Sequence, residues 1–185
     1  MMPGARADHP PLMLTRVAMF VAVGIVAGVA LSAVPNVELV TAICFLSGFL
    51  LGAGAGLLTG AMTEALFAGF NPMGSSIGLL LPAQVVGMAL AGLIGALAAR
   101  LCGEFRGGSR YVIVIVGLGA LVTLIFDVLT NLAFSVMAGF SVSQMAIPFI
   151  AAAPFVAIHL GSNVLVFSLI VAPLLPRLER ALRIP

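Results

Sequence analysis

Long apolar runs recur along almost the whole chain, and no other feature restricts its fold as strongly. One helix needs about 20 apolar residues to cross the hydrocarbon core of a bilayer. Six runs reach or approach that length, at residues 14–33, 37–52, 55–70, 79–99, 111–137 and 147–175. Because 62% of the 185 residues are hydrophobic and 8% are charged, no polar half remains to form a water-soluble surface. The sequence therefore predicts an all-α integral membrane bundle of six transmembrane helices.

Polar or turn-forming breaks separate the runs, at positions 35–36, 71–72, 106–110 and 141–144. Gly52–Gly56 holds three glycines and no charge, so runs two and three form either a tight hairpin, which we favour, or one broken helix. We expect a short N-terminal tail at 1–13, a six-helix substrate-binding domain at 14–176 and a basic C-terminal tail at 177–185.

The arginines indicate how the bundle is oriented. The chain has eight arginines and no lysine, and they fall before run one, around the connection of runs four and five, and after run six: Arg6, Arg16, Arg100, Arg106, Arg110, Arg177, Arg180 and Arg183. With six spans these three places share one side of the membrane. Positively charged loops stay in the cytoplasm. Both tails are therefore predicted to be cytoplasmic.

Two smaller questions concern the first run and the cysteines. Basic residues precede run one and Ala30–Ser32 resembles a signal-peptide cleavage site, but the apolar run is longer than a typical signal core, so we interpret it as a helix. Cleavage there would leave five spans.

Cys44 lies within an apolar run and Cys102 follows the end of another, so we expect thiols at different depths and no metal cluster.

Polar side chains within the apolar runs cluster at one depth. An ionised group in hydrocarbon costs about 2.5–3.5 kcal/mol on insertion scales, so those present usually face a cavity or a partner. In the predicted orientation all of them lie in the outer half or near the midplane: Glu38, Glu64, Asn71, Gln84, Asp127, Asn131, His159 and Asn163. Asp127 and Asn131 share one helix face through their i, i+4 spacing, and His159 and Asn163 repeat it. This pattern predicts a pocket open to the outside.

A structural role is the alternative for each of these residues. Gln84, Asn71 and Asn163 can equally serve as helix-to-helix hydrogen bonds or caps. A deep carboxylate such as Asp127 is a functional candidate, although a pair with His159 would satisfy both side chains as well. Glu38 lies near the interface, where a charge costs little, and we give it little weight.

Small residues form a second pattern. On run one Ala18 and Ala22 are spaced for close approach of another helix, with Gly24 and Gly28 offset from them. In run four Gly87, Ala91 and Gly95 repeat the spacing, which we interpret as packing within the bundle. For run one, packing against another subunit is equally open.

The sequence lacks motifs of membrane ATPases, proteases and many secondary transporters. There is no phosphate-binding loop of an ATPase and no protease signature of the His-Glu-x-x-His or Gly-x-Ser-x-Gly kind. The chain also does not divide into the two similar halves of many secondary transporters. We therefore expect a non-enzymatic subunit that needs no cofactor or metal and has no nucleic-acid partner.

Three stretches together resemble a known family. Val34–Val40, the glycine-rich pair ending at Gly69–Gly74, and Asp127–Asn131 are similar to the substrate-binding S components of energy-coupling factor transporters. The resemblance covers nearly the whole chain and includes the Ala18-x-x-x-Ala22 spacing. Each motif is short, so the resemblance depends on their order and spacing together.

The resemblance implies a multi-pass protein of the bacterial inner membrane that captures a vitamin or vitamin precursor. A transmembrane coupling subunit and two cytoplasmic ATPases would drive inward release. By analogy Ala18 and Ala22 would meet the coupling subunit. The substrate-binding residues would be Gln84, Asp127, Asn131, His159 and Asn163, with Asn36 and Asn71 at the lid or rim.

The nature of the ligand and one competing class remain open at this stage. With no Trp and one Tyr, aromatic stacking falls to Phe134 or Phe155. Buried acids and amides without an outer Arg favour a neutral or cationic heterocycle, and a pyrimidine, a thiamine-like or a cobalamin-related ligand are all compatible. The alternative class is the shape-determining membrane scaffold of the cell-wall elongation machinery, which has a similar size and glycine-rich helix pair.

Overall fold

A computed structural model describes residues 10–71, 73–103 and 108–182, and this part of the chain is helical without a β-strand. The segments are α1 (Pro10–Leu31), α2 (Val40–Leu51), α3 (Ala53–Gly69), α4 (Leu80–Leu101), α5 (Gly108–Met137), a 3₁₀ turn (Val142–Gln144), α6 (Ala146–Val166), a π-helical turn (Phe167–Val171) and α7 (Ala172–Leu182). The all-helical prediction is confirmed. Pro72, Arg6, Arg106 and Arg183 lie outside the described residues.

Four helical segments are long and apolar enough to cross a membrane, and they indicate a membrane protein. They are Pro11–Leu31, Leu80–Leu101, Gly108–Met137 and the continuous segment Val142–Ala181. The last of these continues through Arg177 and Arg180, so the predicted domain limit at residue 176 falls inside a helix. The predicted spans 37–52 and 55–70 correspond to the shorter helices α2 and α3, of 12 and 17 residues.

Helices α2 and α3 form a tight hairpin around Gly52. Gly52 adopts φ 93°, a left-handed conformation that glycine takes without steric cost. Gly48 and Gly56 meet across the turn, since a Cβ at Gly56 would lie 2.5 Å from the Gly48 Cα. The hairpin is therefore the correct reading of this glycine-rich stretch. Every residue of α2 from Val40 to Phe49 is buried.

The hairpin packs backbone to backbone against α4 along a glycine seam formed by Gly48, Gly56, Gly60, Gly92 and Gly95. A Cβ at Gly48 would lie 1.7 Å from the Gly92 carbonyl oxygen, and one at Gly95 would lie 2.0 Å from that of Phe45. Only glycine permits such approach. The predicted packing role of the small residues of α4 is thereby supported, since Ala91 is also buried and Gly87 faces the Phe126 ring.

The small residues of α1 divide between two faces. Gly24 and Gly28 are buried against Thr63 and Phe67 of α3, where an added Cβ would lie 2.6 Å and 2.8 Å from those side chains. Ala18 and Ala22 are exposed on another face of the helix. The two small-residue pairs of α1 therefore have different surroundings.

One end of the bundle has an apolar core. Phe45 and Phe167 pack edge to face with ring centroids 5.0 Å apart. Around them a single buried cluster joins the hairpin, the end of α4, the start of α5 and α7, including Phe49, Ala98, Cys102, Tyr111, Ile115 and Leu175. Arg100, Arg110 and Arg177 lie in the same stretches of chain, so we call this the arginine end. Cys44 and Cys102 are buried thiols that form no disulfide.

Candidate functional site

A polar cavity of about 420 Å³ lies at the other end of the bundle, between the α1–α2 loop and helices α3 to α6. Its floor includes Val40 and Met88 from the apolar interior. Six of the seven substrate-binding residues predicted from the sequence line this cavity: Asn36, Asn71, Gln84, Asp127, Asn131 and His159. The fold thus brings together side chains from five separate segments.

His159 of α6 lies between two carboxylates in the cavity wall. Its Nδ1 is 2.8 Å from Asp127 Oδ1 of α5, and its Nε2 is 3.4 Å from Glu38 Oε1 of the α1–α2 loop. Since an ionised carboxylate only accepts hydrogen bonds, a doubly protonated imidazole ring would donate one bond to each. The sequence indicates an Asp127–His159 pair as the structural alternative to a functional role. That pair is present, and it lies in the cavity wall.

Glu38 is the residue that sequence reasoning undervalued. Besides facing His159, its carboxylate accepts a hydrogen bond of 2.8 Å from the backbone N–H of Thr41 and one of 2.9 Å from Asn163 Nδ2. The first bond satisfies a free N–H at the start of α2. The available signal was an acid at the start of the second predicted helix, together with the i, i+4 pair His159 and Asn163 on α6. Glu38 therefore joins the cavity wall to two helices.

Asn163 does not line the cavity. It is fully buried and donates to Glu38 Oε1 at 2.9 Å and to Thr123 Oγ1 at 3.0 Å. A ligand in the cavity would meet Glu38 and not Asn163. The structure thus places Asn163 as a support for Glu38 rather than in the wall itself.

The α1–α2 loop covers one side of the cavity and is tied to α6. The hydroxyl of Ser162 donates to the backbone oxygen of Asn36 at 2.9 Å. Asn36 adopts φ 58°, a left-handed conformation that asparagine tolerates better than most residues. At the rim, Asn71 Oδ1 accepts a hydrogen bond of 2.9 Å from the backbone N–H of Met73. Both asparagines therefore shape chain turns at the cavity.

Several buried acceptor atoms at the cavity have no hydrogen-bond partner within the described residues. They are Glu64 Oε2, Gln84 Oε1 and Asp127 Oδ2. A buried polar atom without a partner is costly, and most folded proteins have few of them. They lie on three different helices around one cavity.

Aromatic side chains supply the apolar part of the wall. Phe67, Phe126 and Phe155 line the cavity. Phe134, the other residue considered for stacking, does not line it and is 53% exposed elsewhere on α5. Of the two residues proposed from the sequence, the geometry therefore selects Phe155. Phe126 also packs against the ring of His159, with centroids 6.0 Å apart.

Among the described residues no group of three or more His, Cys, Asp or Glu side chains is placed to hold a metal ion. Comparison of the chain with protein families, curated proteins and solved structures finds no match. The function is therefore inferred from the chemistry of the cavity and from its place in the fold.

Proposed function

We propose that this protein is the substrate-capture subunit of a bacterial importer of the energy-coupling factor type, taking a vitamin or vitamin precursor from outside the cell. The observation that supports the proposal is the polar cavity of about 420 Å³ at one end of an otherwise apolar helical bundle. Pockets of this size hold small organic ligands. The buried acceptors around it that have no partner among the described residues support capture over a purely structural role.

The proposed topology has six spans in the bacterial inner membrane, with both tails in the cytoplasm. Arg100 lines a small groove together with Ala53, so the turn of the α2–α3 hairpin lies at the arginine end. The cavity lies at the opposite end, which the positive-inside rule assigns to the outside. Helix α2 can be shorter than a full span because it is buried by its neighbours and does not meet lipid.

The proposed partner surface is the outward face of α1. Ala18 and Ala22 are exposed there, whereas Gly24 and Gly28 are occupied by contacts with α3. Small residues on an exposed face allow a second helix to approach closely. We assign this face to a transmembrane coupling subunit, which with two cytoplasmic ATPases would drive release of the substrate inward.

Native mass spectrometry of the full chain in mild detergent tests the capture function. We expect a small molecule to remain bound to the wild-type protein and to be lost from Gln84→Ala, which removes a cavity acceptor. Val86→Ala is the matched control, because Val86 is on the same helix, is 50% exposed and does not line the cavity. A wild-type protein that retains no small molecule from its host would refute capture and favour the cell-wall scaffold.

A further inference from the structure

The cavity wall contains buried hydrogen-bond acceptors on several helices. Glu64 Oε2, Gln84 Oε1 and Asp127 Oδ2 are buried there without a partner in the described residues. They project from α3, α4 and α5, three helices that surround the cavity. A ligand that satisfies them must present hydrogen-bond donors in several directions.

Three side-chain donors in the same wall are used within the protein. The hydroxyl of Ser32 donates to Val29 O at 2.8 Å, and that of Thr130 donates to Phe126 O at 2.9 Å. Asn131 Nδ2 donates to the Asp127 backbone oxygen at 2.8 Å. These three donors are directed to backbone oxygens close in the chain.

The charge of the wall points the same way. Three carboxylates line the cavity, from Glu38, Glu64 and Asp127, and His159 is the one basic side chain among the described lining residues. A protonated His159 would balance one of the carboxylates that flank it. The other flanking carboxylate would leave a negative charge in the bundle, where an uncompensated ion is strongly unfavourable. A bound cation would compensate it.

The shape of the site adds a third restriction. Phe67, Phe126 and Phe155 provide aromatic surface beside the acceptors. The face of an aromatic ring attracts a cation and packs well against a flat group. A planar cation can therefore contact the rings with its face while its edge reaches the acceptors.

We propose that the substrate is a flat organic cation whose N–H groups bind Glu64, Gln84 and Asp127, such as an amidinium, a guanidinium or a protonated amino-heterocycle. This inference rests on the proposed capture function and narrows its substrate class. A quaternary ammonium compound is excluded, because it has charge but no N–H to satisfy the acceptors. Paired N–H groups match the two oxygens of a carboxylate and form strong charge-assisted bonds.

Thermal unfolding of the full chain in detergent tests the inference with four probes that share one phenyl ring. They are benzamidinium, its tetra-N-methylated cation, neutral benzamide and benzoate. We expect benzamidinium to raise the melting temperature in a saturable manner, and the methylated cation and benzoate to leave it unchanged. Benzamide should act only at much higher concentration. Equal effects of all four probes, or no effect of benzamidinium, would overturn the cation assignment.

Glu64→Gln separates binding from folding. The change removes the charge but keeps the size, so benzamidinium should bind about tenfold more weakly, or weaker still. The unliganded variant should melt no lower than wild type, because a buried unpartnered carboxylate is removed. Glu179→Gln, the same change in α7 at a residue that does not line the cavity, should leave benzamidinium binding unchanged. Unaltered binding to Glu64→Gln would refute the role of this carboxylate.

The two proposals fail in different ways. If the purified protein retains a small molecule but the probes show no preference for the N–H cation, capture stands and the substrate class is wrong. If it retains none and no probe stabilises it, capture and substrate class fail together.

Discussion

The helices are in close contact at the glycine seam and lie apart around the cavity. In the seam, α2, α3 and α4 touch through their backbones, and an added Cβ at Gly92 would lie 2.0 Å from the Gly56 carbonyl oxygen. In the cavity, helices α3 to α6 stand apart around about 420 Å³ and buried oxygen atoms lack partners. Close packing stabilises a fold, whereas unsatisfied polar groups destabilise it.

The seam supports the fold, and the cavity is the region that we propose for the ligand. Helices α3 and α4 belong to both, since Gly60 packs at the seam and Glu64, one turn later, reaches the cavity. A rigid seam can hold the acceptors in place before a ligand binds. Substitutions in the seam should therefore affect folding first, and substitutions in the cavity should affect binding first.

The largest effect is expected at the seam, from Gly92→Ala. The new methyl group would meet backbone atoms of Gly56 that cannot move aside, so we expect a loss of about 3 kcal/mol or more in stability. The yield of monodisperse protein and its melting temperature are the measurements. Gly54→Ala is the control, because nothing lies within 4 Å of its added Cβ and alanine favours helix. Similar behaviour of the two variants would contradict the seam.

In the cavity, Asp127→Asn should reduce ligand binding more than stability. The carboxylate has one oxygen 2.8 Å from His159 Nδ1 and one without a partner. Losing a charge-assisted bond to the ligand typically costs about 1.5–3 kcal/mol, which corresponds to a tenfold or larger loss of affinity. Calorimetry with the co-purified molecule and thermal unfolding measure the two quantities. Unchanged affinity with a clearly lower melting temperature would make Asp127 a packing residue.

A smaller effect on the isolated protein is expected from Ala18→Leu or Ala22→Leu, which lie outside both regions. Because both positions are exposed, the free energy of unfolding and ligand binding should change by less than about 0.5 kcal/mol. Co-purification with the coupling subunit should nevertheless fall, because the added bulk blocks close helix approach. Val23→Leu, at an exposed position of α1 that is already large, is the control. Normal assembly of both alanine variants would place the interface elsewhere.

No energetic effect is expected from the fourth test, which asks whether the cavity end faces outward. A membrane-impermeant thiol reagent added to intact cells should label cysteine introduced at Ser75 or Ser143 and spare cysteine at Ser109. All three positions are exposed in the structure, and the native Cys44 and Cys102 are fully buried, so the background should be low. Labelling of the cysteine at Ser109 alone would show that the cavity end faces the cytoplasm.

The helical class and most of the polar residues around the cavity could be predicted from the sequence. Apolar length is a local property, so runs near 20 residues identify the long helices. Charge and amide groups in such runs are costly enough that their positions alone indicated Asp127, Gln84 and His159. The predicted run 37–52 is longer than helix α2, which has 12 residues, and Val40 to Phe49 are buried against neighbouring helices.

The contacts among these residues depend on tertiary packing. Glu38 meets His159 and Asn163 across 121 and 125 positions of chain, and no local pattern specifies a partner at that distance. The same packing puts Asn163 behind the wall, turns Phe155 toward the cavity and leaves Phe134 outside it. Local composition fixes which segments form helices, whereas the partner of a buried polar atom depends on how those helices pack together.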